Sequence, residues 1–177
     1  MDRAEQGFDP RDYDYLVAAY GPMIYRLAQS RLRHLQDAED VCQQVWLAYV
    51  RHAAKLKSEE HVKAWLIRAT LHRCYSAGSS AYTRHHAELS EALQHRLASD
   101  HPEAFYSGES ELRQQLNQLP AKYRDCLYLY YYEELSVAEI ARALRRKEGT
   151  IKSCLHRGRR LLQQALKQSA ANGEAKK

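Results

Sequence analysis

"LSVAEIARALRRKEGTIKSCLHRGRR", residues Leu135 to Arg160, is the stretch from which the rest of the chain is read. Ser136 and Glu139 have the S-x-x-E spacing of a capping box. There a hydroxyl and a carboxyl each take a backbone N–H that the first helical turn leaves unpaired. Ile140, Ala141 and Leu144 share one face, which predicts a helix of about two turns. A tight break follows near Arg145–Lys147. From about Glu148, Ile151, Leu155, Leu161 and Leu162 recur at helical spacing and predict a second, longer helix. Arg142 to Arg160 holds eight Lys or Arg and one acid, Glu148, a local charge of +7. A short capped helix, a tight turn and a longer basic helix are the parts of a helix-turn-helix.

In that motif the second helix enters the major groove by its N-terminal end. Base edges would face Glu148, Gly149, Thr150, Lys152 and Ser153, with His156 and Arg157 one turn further on. Arg142, Arg145, Arg146 and Lys147 sit where flanking phosphates pass, and Arg159 belongs to the same basic set. The helix N-terminus adds backbone donors for phosphate. Charge alone is equally compatible with a solvated helix on a bundle. The capping box, the break and the Ile151/Leu155 stripe favour DNA.

The bulk composition narrows the classes. The 177 residues suit one domain or two small ones, and 28% charged with 45% hydrophobic residues describes a chain that folds. Net charge +5 and pI ≈ 9.0 make an anionic partner plausible and say nothing about fold. No apolar run reaches membrane-spanning length and "MDRAEQGFDPRDYD" has no apolar signal segment, so a cytoplasmic protein without membrane insertion is expected. Cys42, Cys74, Cys126 and Cys154 are far apart and form no C-x-x-C pair, which favours reduced thiols. The nine histidines form no H-E-x-x-H or Cys/His cluster, so no metal or other cofactor is expected. The absence of a nucleophile–base pair and of a phosphate-binding glycine loop argues against an enzyme.

All periodic segments read as helix, which predicts an all-α fold. The first runs from about Asp12 to Leu35, with Leu16, Tyr20, Ile24 and Leu27 on one face. "LQDAEDVCQQVWLAYVRHAAKL" opens the second, with Asp37 as N-cap, Glu39 and Asp40 in the first turn, and Val41, Val45 and Ala48/Tyr49 as its stripe. Ser58 caps a third, whose face holds Val62, Trp65, Leu66 and Ala69; Trp65 is read as core rather than as a stacking platform. After Cys74 the pattern fades into a polar linker with one short helix near Ser90–Leu97. Glu88 to Glu111 carries six acids and one base, a local charge of −5. Order returns at Leu112, and Leu119-Pro120 starts a fresh helix in which Leu127, Tyr130 and Tyr131 are expected in the core.

"DAEDVCQQVWLAYV" followed by "EEHVKAWLIRATLHRC" resembles region 2 of the extracytoplasmic-function sigma factors of bacterial RNA polymerase. "LPAKYRDCLYLYYYEELSVAEIARALRRKEGTIKSCLHRGRRLLQQAL" resembles their region 4. The resemblance implies two small helical domains: a region 2-like bundle over 10–77 and a region 4-like helix-turn-helix over 111–168. An acidic flexible linker over 78–110 would join them, with a frayed tail over 169–177. It implies a promoter-specificity subunit that recruits core RNA polymerase to −35/−10 promoters and assists melting. The polymerase's β′ clamp and β flap and promoter DNA are the implied partners, with an anti-sigma factor left open. Asp37, Asp40, Gln43, Gln44 and Trp46 would meet β′. Lys55, Lys57, Ser58, His61, Lys63, His72 and Arg73 would hold the −10 strand. The basic helix would read the −35 duplex. A stand-alone dimeric helix-turn-helix regulator is the alternative. Two places depart from the family pattern in the second block: Arg145 and Arg146 replace a glycine and an apolar residue, and Gly158 stands where alanine is favoured. In the first block, Gln44 replaces a frequent acid, and Ser76 with "AGSSAYTRHH" replaces an aspartate and an arginine run.

Overall fold

The computed structural model describes residues 8–32, 34–88 and 110–174. Its regular elements there are seven α-helices and one 3-10 turn, divided between two compact units. The first unit contains α1 (Tyr13–Gln29), α2 (Leu35–His52), the 3-10 turn Ala53–Lys55 and α3 (Glu59–Glu88). The second contains α4 (Ser110–Gln118), α5 (Ala121–Tyr131), α6 (Val137–Leu144) and α7 (Glu148–Glu174).

In the first unit, Asp12 caps α1 by accepting the Tyr15 N–H at 3.1 Å. Leu16, Ile24 and Leu27 of α1, Val45 and Tyr49 of α2, and Val62 and Leu66 of α3 are fully buried, so the three helices share one core. Burying each such side chain stabilises by about 1.5–3 kcal/mol. Thr70 lies in the same core because its hydroxyl donates to the Leu66 carbonyl at 2.8 Å, leaving no unpaired group. Tyr49 is the largest fully buried side chain among the described residues, and its hydroxyl donates to the Pro10 carbonyl at 2.7 Å.

Several boundaries differ from the sequence expectation. The first helix ends at Gln29, not Leu35; Ser30 Oγ donates to the Leu27 carbonyl at 2.7 Å, a local bond that competes with further helix. No glycine or proline marks that break. Asp37 is not the N-cap of α2. The cap position is His34, in extended conformation and without a side-chain bond, and Asp37 sits in the first turn, where an acid still meets the positive end of the helix. Ser58 does cap α3, accepting the His61 N–H at 3.3 Å. That helix continues to Glu88, past the expected domain end at 77. The short helix expected near Ser90–Leu97 lies outside the described residues. α7 likewise runs to Glu174, into the stretch read as a tail, because "LLQQALKQSAA" is built of good helix formers.

In the second unit, Leu127 and Leu129 of α5, Ile140 and Ala143 of α6, and Ile151 and Leu155 of α7 form the core. The tyrosines of α5 are a correction. Tyr128 is the buried one, stacked on Tyr132 at 5.0 Å, while Tyr130 and Tyr131 are 38% and 53% exposed. Aromatic spacing identified a helix but not which side of it faces in. Gly158 is buried where α7 crosses α5: a Cβ there would stand 3.1 Å from Leu127 Cδ1 and 3.3 Å from Tyr123 Cβ. The glycine permits that close approach.

Candidate nucleic-acid interface

The capping box of α6 is complete. Ser136 Oγ accepts the Glu139 N–H at 3.2 Å, and Glu139 Oε2 accepts the Ser136 N–H at 2.9 Å. At its other end α6 stops in a left-handed residue, Arg145, with φ 52° and ψ 49°. The Arg146 N–H returns to the Ala141 carbonyl at 2.9 Å and the Arg145 N–H to Arg142, the paired bonds of a Schellman ending. Glycine is the usual residue there because it has no Cβ to clash. Arginine occupies it here, so the turn is held by its hydrogen bonds against a local backbone penalty. The Lys147 carbonyl then accepts the first bonds of α7, from Thr150 and Ile151. No Ser, Thr, Asp or Asn precedes α7, so the orphan N–H groups of its first turn have no side-chain cap of the usual kind.

α7 is sharply two-sided. Ile151, Cys154, Leu155 and Gly158 are buried; Gly149, Lys152, Ser153, His156 and Arg160 are exposed on the opposite side at helical spacing. Arg160 belongs to this face and was missed by the sequence expectation. Its spacing of four from His156 and seven from Ser153 could have flagged it. Glu148, Thr150 and Arg157 are exposed beside this face, and Arg142, Arg145, Arg146 and Lys147 are exposed before it. Arg159 is set apart: it lies toward α5, with its guanidinium 3.4 Å from Tyr131 Oη. It helps line an apolar groove of about 310 Å³ among Leu112, Leu116, Leu127, Tyr131, Leu162 and Leu166.

In the first unit, Lys55 and Lys57 are exposed in the connection before α3, Ser58 caps that helix, and His61 is exposed in its first turn. His61 and His72 share a face with Trp65 and Arg68 by helical period. The Trp65 ring is only half-buried, 5.8 Å from Tyr49 and 5.4 Å from His52. Lys63 points from another side of α3. Arg73 is turned toward α2 and donates to Gln44 Oε1 at 3.0 Å, joining two residues expected on different surfaces.

On α2, Asp40 and Gln43 face outward together. Gln44 and the half-buried Asp37 flank them, and Trp46 packs edge-on against Tyr49 at 5.9 Å on the other flank. Leu47 and Val50, 62% and 56% exposed, complete the outer face. They fall off the Val41/Val45 stripe, a signal the sequence already carried. Among the described residues no cluster of His, Cys, Asp or Glu could hold a metal ion, and no helix is long and apolar enough to cross a membrane.

The chain matches the family described as sigma-70 region 2 over residues 16–89 and that described as sigma-70, region 4 over residues 109–162. It is 29% identical over 163 residues to the ECF RNA polymerase sigma factor SigW of Bacillus subtilis, covering 86% of this chain and 87% of that protein. It is 28% identical over 177 residues to the RNA polymerase sigma-H factor of Pseudomonas aeruginosa, covering 94% and 91%. Two solved structures share the fold. One is the sigma factor RpoE in complex with the anti-sigma factor NepR from Bartonella quintana (TM-score 0.66, 23% identity, 89% of this chain and 98% of that one). The other is CnrH in complex with the cytosolic domain of CnrY (TM-score 0.65, 20% identity, 89% and 88%). With both regions matched in order and relatives aligned along most of their length, this chain belongs to the extracytoplasmic-function RNA polymerase sigma factors, non-catalytic subunits that direct the polymerase to promoters.

Proposed function

We propose that the two units divide promoter recognition between them, in the cytoplasm. The face of α7 formed by Gly149, Lys152, Ser153, His156 and Arg160 reads the −35 duplex. Arg142, Arg145, Arg146 and Lys147 hold the adjacent phosphates. The connection carrying Lys55 and Lys57, with Ser58 and His61, takes the −10 non-template strand, and His72 extends that surface along α3. A base that leaves the duplex there needs a pocket or platform, and the half-buried Trp65 ring beside His52 supplies an aromatic edge. The outer face of α2, Asp40 and Gln43 with Leu47 and Val50, docks on the β′ clamp, and the groove beside Arg159 receives the β flap. An anti-sigma factor, such as the NepR bound to the neighbour RpoE, would compete for these exposed apolar surfaces.

The exposed, wholly non-aliphatic face of α7 is the observation that supports the reading most strongly. Basic and hydrogen-bonding side chains at one helical spacing suit base edges and phosphates, and nothing apolar on that face asks for a protein partner. The test uses holoenzyme reconstituted with core polymerase on promoters altered at single base pairs. Lys152→Ala should relax discrimination at one −35 position by about tenfold, the loss of about 1–3 kcal/mol expected for a base contact, and leave −10 discrimination intact. Lys57→Ala should do the reverse. If either variant weakened all promoters equally, its residue would be a general phosphate contact and not a reader.

A further inference from the structure

The connection between the 3-10 turn and α3 has few bonds of its own. The Leu56 N–H returns to the Ala53 carbonyl at 3.0 Å, and Ser58 accepts from His61 and Val62. Lys55 and Lys57 are exposed between these points. Helix ends fray, so a loop that must present side chains to a strand needs its exit helix fixed from outside.

That fixation comes from α1. Tyr15 Oη donates to Glu59 Oε1 at 2.7 Å, and Tyr20 Oη donates to the same oxygen at 2.9 Å. Glu59 is the first residue of α3, and the tyrosines lie 44 and 39 residues before it. All three side chains are half-buried, where hydrogen bonds to a carboxyl are stronger than at an open surface. The buried core side chains of α3 begin at Val62, three positions after Glu59, so the first residue of the helix lies outside that core. Both hydroxyls converge on one oxygen at the point where the loop becomes helix.

We propose that Glu59 is a positioning residue for −10 recognition: clamped by Tyr15 and Tyr20, it sets the start of α3 and with it the presentation of Lys57 and Ser58. The inference rests on the assignment of this loop to the −10 strand. Glu59 itself touches no DNA; it acts through the loop. Removing the two hydroxyls leaves the aromatic rings packed and the core intact, so the register of α3 relaxes only at its start.

The experiment measures open-complex formation by reconstituted holoenzyme on promoters changed at one −10 or one −35 base pair. The Tyr15→Phe/Tyr20→Phe double variant should lose about tenfold in −10 discrimination, as two hydrogen bonds of ordinary strength imply, and keep its −35 discrimination. Glu59→Gln retains a carbonyl oxygen to accept both hydroxyls and should recover most of the discrimination that Glu59→Ala loses. The proposal is overturned by wild-type −10 discrimination in the tyrosine variant, by equal loss at both elements, or by a Gln variant no better than Ala. Lys57→Ala, run alongside, separates the two layers. If it leaves open-complex formation at the wild-type level on every promoter, the assignment of the loop fails and the proposal fails with it. If it lowers discrimination while the tyrosine variant does not, only the clamp is wrong.

Discussion

Arg145 sets backbone stability against the proposed phosphate contact in one residue. Its backbone sits at φ 52°, where a Cβ is unfavourable, yet it is a base at the turn of the helix-turn-helix. Arg145→Gly should therefore stabilise the second unit by about 1 kcal/mol, raising its thermal midpoint by about 4–8 °C for a domain of this size. The same change should weaken −35 binding on every sequence and flatten the log–log salt dependence by about 0.9. A midpoint that falls would mean that the guanidinium itself holds the turn. Tyr49 supplies a second test at this scale. Burial, and then Tyr13 and Asp9 nearby, push its hydroxyl from 10.0 to about 12. The folded state thus keeps a proton that the unfolded chain releases, so the stabilisation is complete below pH 10 and falls as pH rises toward 12. The slope should approach about 1.4 kcal/mol per pH unit in that window. Burial and the neighbouring Cys154 raise the Cys126 thiol in the same direction. Chemical denaturation at a series of alkaline pH values checks this; Tyr49→Phe should flatten the slope, and an unchanged slope would remove Tyr49 as a cause.

Among the elements, α7 crosses α5 closely at Gly158, whose missing Cβ permits the approach. Alanine there would gain about 1 kcal/mol of helix propensity. The new Cβ, however, meets Leu127 Cγ at 3.2 Å and Tyr123 Cβ at 3.3 Å, so these packed neighbours must each give by a few tenths of an ångström. Overpacking of this kind costs about 1–3 kcal/mol, so Gly158→Ala should lower stability by about 1 kcal/mol; a rise would show that α7 can retreat from α5 freely. The elements also show what the sequence made legible. Helical periodicity, the Ser136/Glu139 box and the Ser58 cap were readable because local chemistry determines them, whereas the left-handed conformation of Arg145 is seen only in the structure. Asp37 was misplaced because its side chain suits a cap, whereas the helix starts three residues earlier than that cap implies, at Leu35 with His34 in the cap position. Tyr130 and Tyr131 were misplaced because spacing along α5 does not say which side α7 covers. The separation of Arg159 from the exposed Lys152/His156 face, and of Lys63 and Arg73 from His61 and His72, depends on the angle at which each side chain leaves its helix. Residue type and proximity in sequence do not encode that angle.

For the whole molecule, two small helical units with separate cores are joined through a sequence whose charge reverses. The stretch from Glu88 to Glu111 sums to −5, while Arg142 to Arg160 sums to +7. Each unit presents exposed charge or exposed apolar surface, as suits a subunit that works by bridging polymerase and promoter. Such a subunit gains specificity from two modest contacts held together by the enzyme, rather than from one tight complex with DNA. The most direct measurement is run-off transcription from genomic fragments by core polymerase with and without this protein, with start sites mapped. Transcripts that depend on the protein and begin at a fixed distance downstream of a shared pair of sequence elements are the predicted result. Tight, polymerase-independent binding of a dimer to palindromic duplexes, with no transcript initiated, would contradict it.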